Sequence, residues 1–311
     1  MTATFHRVDA SLTVIERGWL NCNQVVRNAP ERNVLIDSGY GRHAQQTIGY
    51  VEEALGAATL HQLLNTHCHS DHMGGNRALA AHFGCEVVIP EGEVRHVVPW
   101  TEQSCWSQQM DQYAEEFQFD ATMIPGDVIV AGGRDWRAIA APGHDMDALM
   151  FFAEEGRILV SGDALWEKGM GFVWPEHDGE SRTGFLDAAR ATLDVIEAMQ
   201  PALVIPGHGA PFINVESALA ESRSRLDAFA RDPAKHARHV VRALFVFSLL
   251  DRGAMRTPVA DYIRSVPVYG QMREGFLGGT HDDLARALVD DLVRAGAVQL
   301  IDGVLYPTMR A

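Results

Sequence analysis

No stretch of this 311-residue chain approaches the roughly 18 uninterrupted apolar residues that a membrane-spanning helix needs. The opening residues, Met1-Thr2-Ala3-Thr4-Phe5-His6-Arg7, lack the charged-then-apolar pattern of a secretory signal. The expectation is a protein that starts here and works in the cytoplasm, with no membrane partner. Cysteine is scarce: Cys22, Cys68, Cys85 and Cys105 show no C-x-x-C spacing. A chain this long has core enough to fold without disulfide staples, so buried free thiols are expected. Several chemistries lack their signatures, with no G-x-S-x-G, no P-loop, no dinucleotide glycine fingerprint and no H-E-x-x-H. Basic residues are outnumbered, 26 Lys and Arg against 41 Asp and Glu for a net charge of −15. That balance argues against a general nucleic-acid binder.

What is present is a globular chain, 47% hydrophobic, with a break in charge. Residues 235–311 hold ten Lys and Arg against eight Asp and Glu, whereas the preceding 234 hold 16 against 33. The expected division is therefore 1–232 and 233–311. Short strands are predicted at 12–15, 24–27, 34–36, 61–65 and 86–89, with helices at 47–55 and 76–83 between them. Residues 103–119 carry Trp106, Tyr113, Phe117 and Phe119 at mixed spacing and read as a helical insertion. Further strands are predicted at 127–130, 136–140, 148–152, 157–160 and 203–205, with a helix at 184–199. Beyond Pro233 three helices are expected: 237–250, one opened by Thr257-Pro258, and 282–295. Asp302-Gly303 then marks a hairpin, which completes a small winged-helix-like module.

The most informative stretch is His67-Cys68-His69-Ser70-Asp71-His72. Imidazole is the commonest protein ligand for zinc and carboxylate oxygen a frequent companion, so three histidines and an aspartate in six positions read as half of a metal site. Three later strands stop at a glycine beside a single ligand-type residue: Gly143-His144, Gly162-Asp163 and Gly207-His208. The candidates are then His67, His69, Asp71, His72, His144, Asp163 and His208. Seven exceed the four of a tetrahedral zinc but fit two ions, with a shared Asp163 between them. Because a protonated histidine cannot ligate, activity should fall below about pH 6.5.

The run from Thr66 to His72 resembles the H-x-H-x-D-H signature of the metallo-β-lactamase superfamily, and the later single-ligand motifs match His144, Asp163 and His208 in order. The resemblance covers roughly residues 12–215. It implies a mixed α/β (α+β) fold, a four-layer αββα sandwich with metals at one edge. It implies that His67, His69 and His144 hold one metal, that Asp71, His72 and His208 hold the other, and that Asp163 bridges. Asp71 would also orient the attacking water or take its proton, and Asp37 resembles the family's second-shell aspartate. A bridging aspartate like Asp163 belongs to the glyoxalase-like hydrolases, whereas true zinc β-lactamases lack it. The tail resembles the winged-helix extension of a branch that includes thioesterases and an endoribonuclease.

The resulting expectation is a dinuclear hydrolase with two Zn²⁺, iron or manganese being alternatives, whose metal-bridging hydroxide attacks a thioester or carboxylic ester of a small molecule. One alternative is a mononuclear iron persulfide dioxygenase, whose motif also reads Thr-His-Cys-His as at Thr66 to His69. Another is a metal-dependent phosphodiesterase or ribonuclease, using Arg238, Arg242, Arg252, Arg256, Arg264, Arg273, Arg286 and Arg294 as a phosphate-binding face. Scattered surface arginine is the blander account, since eight acids interleave with them. A non-enzymatic binding protein would keep the fold without needing all seven ligands. Trp166 and Phe172, with Met170 and Trp174, are candidate substrate contacts, and Tyr269, Met272 and Phe276 of the tail are candidates to close the pocket, plain packing being the blander account of each. Subunit number is open, and a homodimer is compatible with the sequence.

Overall fold

The structure is a computed structural model that describes residues 3–29, 31–131, 133–176 and 184–308. β1 (Thr4–Arg7), β2 (Leu12–Glu16), β3 (Gln24–Arg27) and β4 (Val34–Ile36) pair antiparallel in succession. α1 (Ala44–Leu55) leads to β5 (Gln62–Leu64), which runs parallel to β4. The single turn α2 (Ser70–Met73) and α3 (Asn76–Phe83) precede β6 (Glu86–Pro90). The short α4 (Val94–Val97) and α5 (Ser107–Met110) lead to β7 (Ala121–Met123). These strands form a seven-stranded sheet in sequence order.

The second sheet holds β8 (Val128–Ala131), β9 (Arg134–Ala140), β10 (Leu149–Ala153) and β11 (Ile158–Gly162), antiparallel neighbours. α6 (Phe185–Met199) then brings β12 (Leu203–Pro206) back parallel to β11. α7 (Val215–Arg231), α8 (Pro233–Arg252), α9 (Val259–Ser265), α10 (Pro267–Met272) and α11 (His281–Arg294) follow. The hairpin β13 (Val298–Ile301) and β14 (Val304–Pro307) comes last.

The period-2 alternation of the strands explains the layering. Val14, Val25, Leu149 and Phe151 point between the two sheets, into one core. Ile15, Val26, Leu35 and Leu63 point the other way, against Ile48, Val51 and Leu55 of α1 and Leu79 of α3. On the far side of the second sheet, Met150 and Phe152 meet Leu193 and Ile196 of α6 and Leu219 and Leu226 of α7. Each such buried aliphatic side chain contributes about 1.5–3 kcal/mol. The order is helices, sheet, sheet, helices: the expected αββα sandwich.

A further core joins α8 to α11 and the hairpin, through Val241, Phe245, Ile263, Tyr269 and Leu288 among others. Met110 of α5 is the one buried member drawn from before residue 237. α8 is delimited by its sequence: Asp232 accepts from the Lys235 amide (2.8 Å), Pro233 opens the first turn, and Gly253 at φ 69° ends it. Asp302 and Gly303, both at positive φ, make the tight hairpin turn that their dipeptide predicts.

Four expectations change. The stretch 103–119 is not a helix: among its residues only a 3₁₀ turn at Ser104–Trp106 and α5 form, because Cys105, Trp106 and Asp111 adopt positive φ. Its aromatics serve different neighbours, Phe117 packing into the α1 side of the core and Tyr113 against Tyr40. The tail has four α-helices rather than three, with a π turn at Arg273–Leu277 after α10, and α9 starts just past Pro258. α7 went unanticipated, since its buried face includes Ala218 and Ser222 and gives a weak apolar stripe. β1 and β7 were likewise missed. All four cysteines are free and buried, as expected.

Candidate metal centre

The candidate ligands follow the carboxyl ends of β5, β9, β11 and β12, all at one edge of the sandwich. Layered α/β folds carry their chemistry beyond these strand ends. His69 is the N-cap of α2, so Asp71 and His72 ride its single turn. Close packing explains the glycine at each strand end. A Cβ on Gly207 would lie 2.3 Å from Asp163 Oδ1, one on Gly143 would lie 2.7 Å from the Ala189 Cα, and Gly162 turns at φ 50° beside Thr66. Only a residue without a side chain lets these loops converge.

Three imidazoles meet first. His67 Nε2 lies 3.1 Å from His69 Nδ1, which lies 2.8 Å from His144 Nε2. The Nδ1 of His144 donates to the Phe172 carbonyl (2.6 Å), and the Nδ1 of His67 is 3.0 Å from Thr66 Oγ1. With those hydrogens placed, both Nε2 atoms face His69 as bare lone pairs. One ring hydrogen on His69 cannot satisfy both. A cation at their centre satisfies all three. Burial disfavours the charged form, holding His67 well below the usual histidine value and His69 down to about 4.

The second set is richer in carboxylate. Asp71 Oδ2 lies 3.2 Å from His208 Nε2 and 3.9 Å from His72 Nε2. Asp163 stands between the two sets: its Oδ2 is 3.4 Å from His144 Nε2, and its Oδ1 is 3.3 Å from His72 Nε2 and 3.7 Å from His208 Nε2. The Nε2 atoms of His72 and His208 are buried with no hydrogen-bond partner among the described residues. Buried polar atoms left so are costly, and a metal ion removes the cost. Burial opposes charge here, yet the histidines beside them bring Asp71 down to about 2 and Asp163 well below the usual carboxylate range. Burial also disfavours a charged His72, but the carboxylates of Asp163, Asp37 and Asp71 outweigh it and raise its pKa well above 6.5. A field that holds a proton this firmly equally attracts a metal cation.

Asp37 lies where the sequence suggested. It accepts from the Thr66 amide (2.8 Å), Thr66 Oγ1 (2.9 Å) and His72 Nδ1 (2.9 Å), so Nε2 of His72 is left free to ligate. Cys22, Asp37 and His72 also form a donor cluster. However, burial pushes the Cys22 thiol up to about 11, so it stays protonated at neutral pH.

Four supporting residues carried no sequence signal. Trp19 stacks on His208 (4.8 Å between centroids, 22°). Asn23 clamps the His208 loop, donating to the carbonyls of Pro206 (2.9 Å) and Gly209 (2.6 Å). Asp145 lies 3.6 Å from His69 Nε2, and Glu93 shares a buried hydrogen bond with Asp145 while accepting from the Cys68 amide. Glu93 and Asp145 are 52 positions apart, so no local pattern joins them.

Of the expected substrate contacts, Trp166 donates its indole N–H to Asp163 Oδ1 (3.2 Å), and Phe172 lies 5.1 Å from the His144 ring. Both line a cavity of about 250 Å³ above the centre, with Met170. Tyr269 and Met272 are buried in the tail's own core, and Phe276 packs against it. α8 supplies much of the remaining wall, through His239, Ala243, Leu244 and Phe247, beside Trp19, Met110, Gln112 and Arg225. Six of the eight tail arginines sit in ion pairs: Arg238, Arg252, Arg264, Arg273, Arg286 and Arg294.

Residues 17–208 match the family model described as the metallo-beta-lactamase superfamily, well over half of the chain. The chain belongs to that superfamily. A hydroxyacylglutathione hydrolase from Rhodospirillum rubrum is 30% identical over 128 residues, 41% of this chain and 42% of that protein. A second, from Methylococcus capsulatus, is 32% identical over 145 residues, 46% of this chain and 49% of that one. The chain thus spans less than half the length of these relatives. A probable metallo-hydrolase of Bacillus subtilis, YflN, is 24% identical over 222 residues, 64% of this chain and 84% of that one. Among solved structures, a beta-lactamase domain protein from Burkholderia ambifaria aligns with TM-score 0.60 at 20% identity, covering 99% of this chain and 95% of its own. A metallo-beta-lactamase family protein from Thermus thermophilus aligns with TM-score 0.53 at 20% identity, covering 98% of each. These two share the fold through the tail helices. The curated relatives named above are hydrolases by name.

Proposed function

We propose that this superfamily member is a dinuclear zinc hydrolase of small thioesters or carboxylic esters. The observation that carries the proposal is Asp163, whose two oxygens face two separate donor sets. His67, His69 and His144 would hold one ion, Asp71, His72 and His208 the other, and Asp163 would bridge. When bound, the zinc pair supplies activated water near neutral pH and polarises the scissile carbonyl. A mononuclear iron enzyme would leave the orphaned Nε2 atoms of His72 and His208 without a role. The match to hydroxyacylglutathione hydrolases, themselves thioesterases by name, supports the choice of a thioester.

Asp71 is ionised at neutral pH and borders the cavity. A carboxylate this acidic is a poor store for a proton, because efficient general bases have pKa values near the working pH. Its part is to orient the attacking water by accepting a hydrogen bond. Trp166 restrains Asp163 from the cavity side, and Trp19 covers His208 from solvent. In the reaction the water oxygen adds to the acyl carbon, the C–S or C–O bond breaks, and the leaving thiol or alcohol takes a proton. We also place a module boundary at Pro233, with the tail of winged-helix type.

The test measures hydrolysis of a small acyl thioester together with metal content. The proposal expects two zinc ions per chain and turnover that is lost in His69→Ala. Full activity after complete metal removal would overturn it.

A further inference from the structure

The cavity above the centre is two environments joined at the donors. At its base lie His69, Asp71, His144, Asp163 and His208. Its wall away from them is mainly apolar, made by Met110, Met170, Phe172, Ala243, Leu244 and Phe247, with Gln112, Arg225 and His239 as its polar members. His239, Ala243 and Phe247 recur every four residues on α8, so they form one stripe along that helix. The opposite face of α8, with Val241, Phe245 and Leu249, is committed to the tail core. α8 is also fixed to the catalytic layers at both ends. His236 Nε2 donates to the Val173 carbonyl (2.7 Å), one residue beyond Phe172, and Asp251 accepts from the Tyr40 hydroxyl (3.0 Å). The apolar wall is therefore held in place rather than draped.

A second cavity, of about 410 Å³, opens on the other side of Phe172 and also reaches His69 and His144. Its lining is mixed: Arg95, His96, Gln109, Asp147 and Gln271 stand among Trp106, Met146, Trp174 and Phe185. A carbonyl held at the donors thus has a mainly apolar chamber on one side and, on the other, a mixed chamber that sets charged groups among aromatic ones.

We infer that the enzyme's substrates are thioesters or esters of apolar straight-chain acyl groups, with the acyl chain lying along the Ala243 stripe of α8 and the polar thiol or alcohol on the Arg95 side. Ala243 sets the length of chain admitted. This rests on the proposed esterase or thioesterase chemistry, to which it adds the substrate class. The physical basis is the transfer of apolar area out of water: each methylene accommodated raises kcat/KM by about fourfold, until the chamber is filled. Any larger side chain at 243 projects into that path from a helix that cannot retreat.

The experiment compares zinc-loaded wild type, Ala243→Val and Ala243→Phe on one leaving group with acyl chains from acetyl to decanoyl. Wild type is expected to climb with chain length to a plateau. The octanoyl-to-acetyl ratio of kcat/KM is expected to fall by at least about tenfold in Ala243→Phe, and by less in Ala243→Val. The Val variant adds only two methyl groups and keeps the test open if the Phe variant does not fold. A flat or declining length profile in wild type, or a ratio unchanged in both variants, would overturn the inference while leaving the ester chemistry standing. Should no acyl ester be turned over, the esterase proposal fails instead. The chamber is then read separately, through quenching of tryptophan fluorescence at Trp19 and Trp166 by octanoate against acetate. Tighter octanoate binding, weakened by Ala243→Phe, supports the acyl chamber; equal binding of the two acids overturns it.

Discussion

The two donor sets, separated only by the width of Asp163, are built on different physics. His67, His69 and His144 form a trio of imidazoles, held by a hydroxyl, a carbonyl and the Asp145 carboxylate, with burial suppressing protonation of His67 and His69. His72 and His208 stand among Asp37, Asp71 and Asp163, and His72 binds a proton more firmly than a free histidine does. The trio offers three lone pairs and one oxygen of the shared Asp163, whereas the second set adds Asp71 as a donor and Asp37 behind His72. Proximity therefore does not make the sites equivalent. They should differ in affinity, in response to acid and in dependence on their supports.

The largest expected effect comes from the one residue they share. Asp163→Asn keeps the shape but leaves only one oxygen and no charge to span the two sets. Loss of an outer support typically costs 10–100-fold in affinity or activity, so loss of the shared ligand should exceed about 100-fold in kcat/KM. Metal analysis should fall below two ions per chain; a variant that keeps both ions and its rate would dissolve the distinction. Asp37→Ala should act on one side. His72 loses the acceptor that fixes its ring, so metal affinity at the second set should drop by about 10–100-fold. The trio is reached only through Thr66 and should hold its ion, which competitive chelation can resolve.

Acid sharpens the comparison further. A metal must displace the proton from His72, whose folded pKa is raised, so affinity at the second set falls as pH drops through that raised value, by about tenfold per unit. His69 takes a proton only near pH 4, so the trio keeps its ion longer. Titration from alkaline to acid pH should release one equivalent first and the second well below it. Simultaneous release of both ions would show that the sets act as one.

Much of this was legible in the sequence because it is local. A histidine and an aspartate in successive positions after a strand, or a glycine before a single ligand, is visible without knowing what lies nearby. The reason for the glycines was not visible: Gly207 is required by Asp163, 44 positions earlier. Trp19, Asn23, Glu93 and Asp145 serve the site through contacts that only the folded sheets create. The same holds for the cavity wall. The sequence pointed to Tyr269, Met272 and Phe276 as the tail residues nearest a substrate, and packing gave that position to α8. α7 was missed because helix packing at Ala218 and Ser222 rewards small residues, which leave little apolar periodicity to detect.

The smallest expected effect concerns the trio's outermost support, and its sign can be worked out. Burial, then the neighbouring Asp145, raises the pKa of Glu93 well above its ordinary 4.5. The folded chain therefore keeps this proton at pH values where the unfolded chain has released it. With more protons bound in the native state, stability declines as pH rises from 4.5 toward the raised value, by up to about 1.4 kcal/mol per unit. Glu93→Gln does not titrate, and its amide can still donate to Asp145 while its oxygen accepts from the Cys68 amide. The variant should therefore match wild type in mildly acid solution and exceed it increasingly toward alkaline pH, as read from urea midpoints at several pH values. A difference that stays constant would mean that the buried Glu93 releases its proton in the fold as readily as in the unfolded chain, and that burial behind His69 does not hold it.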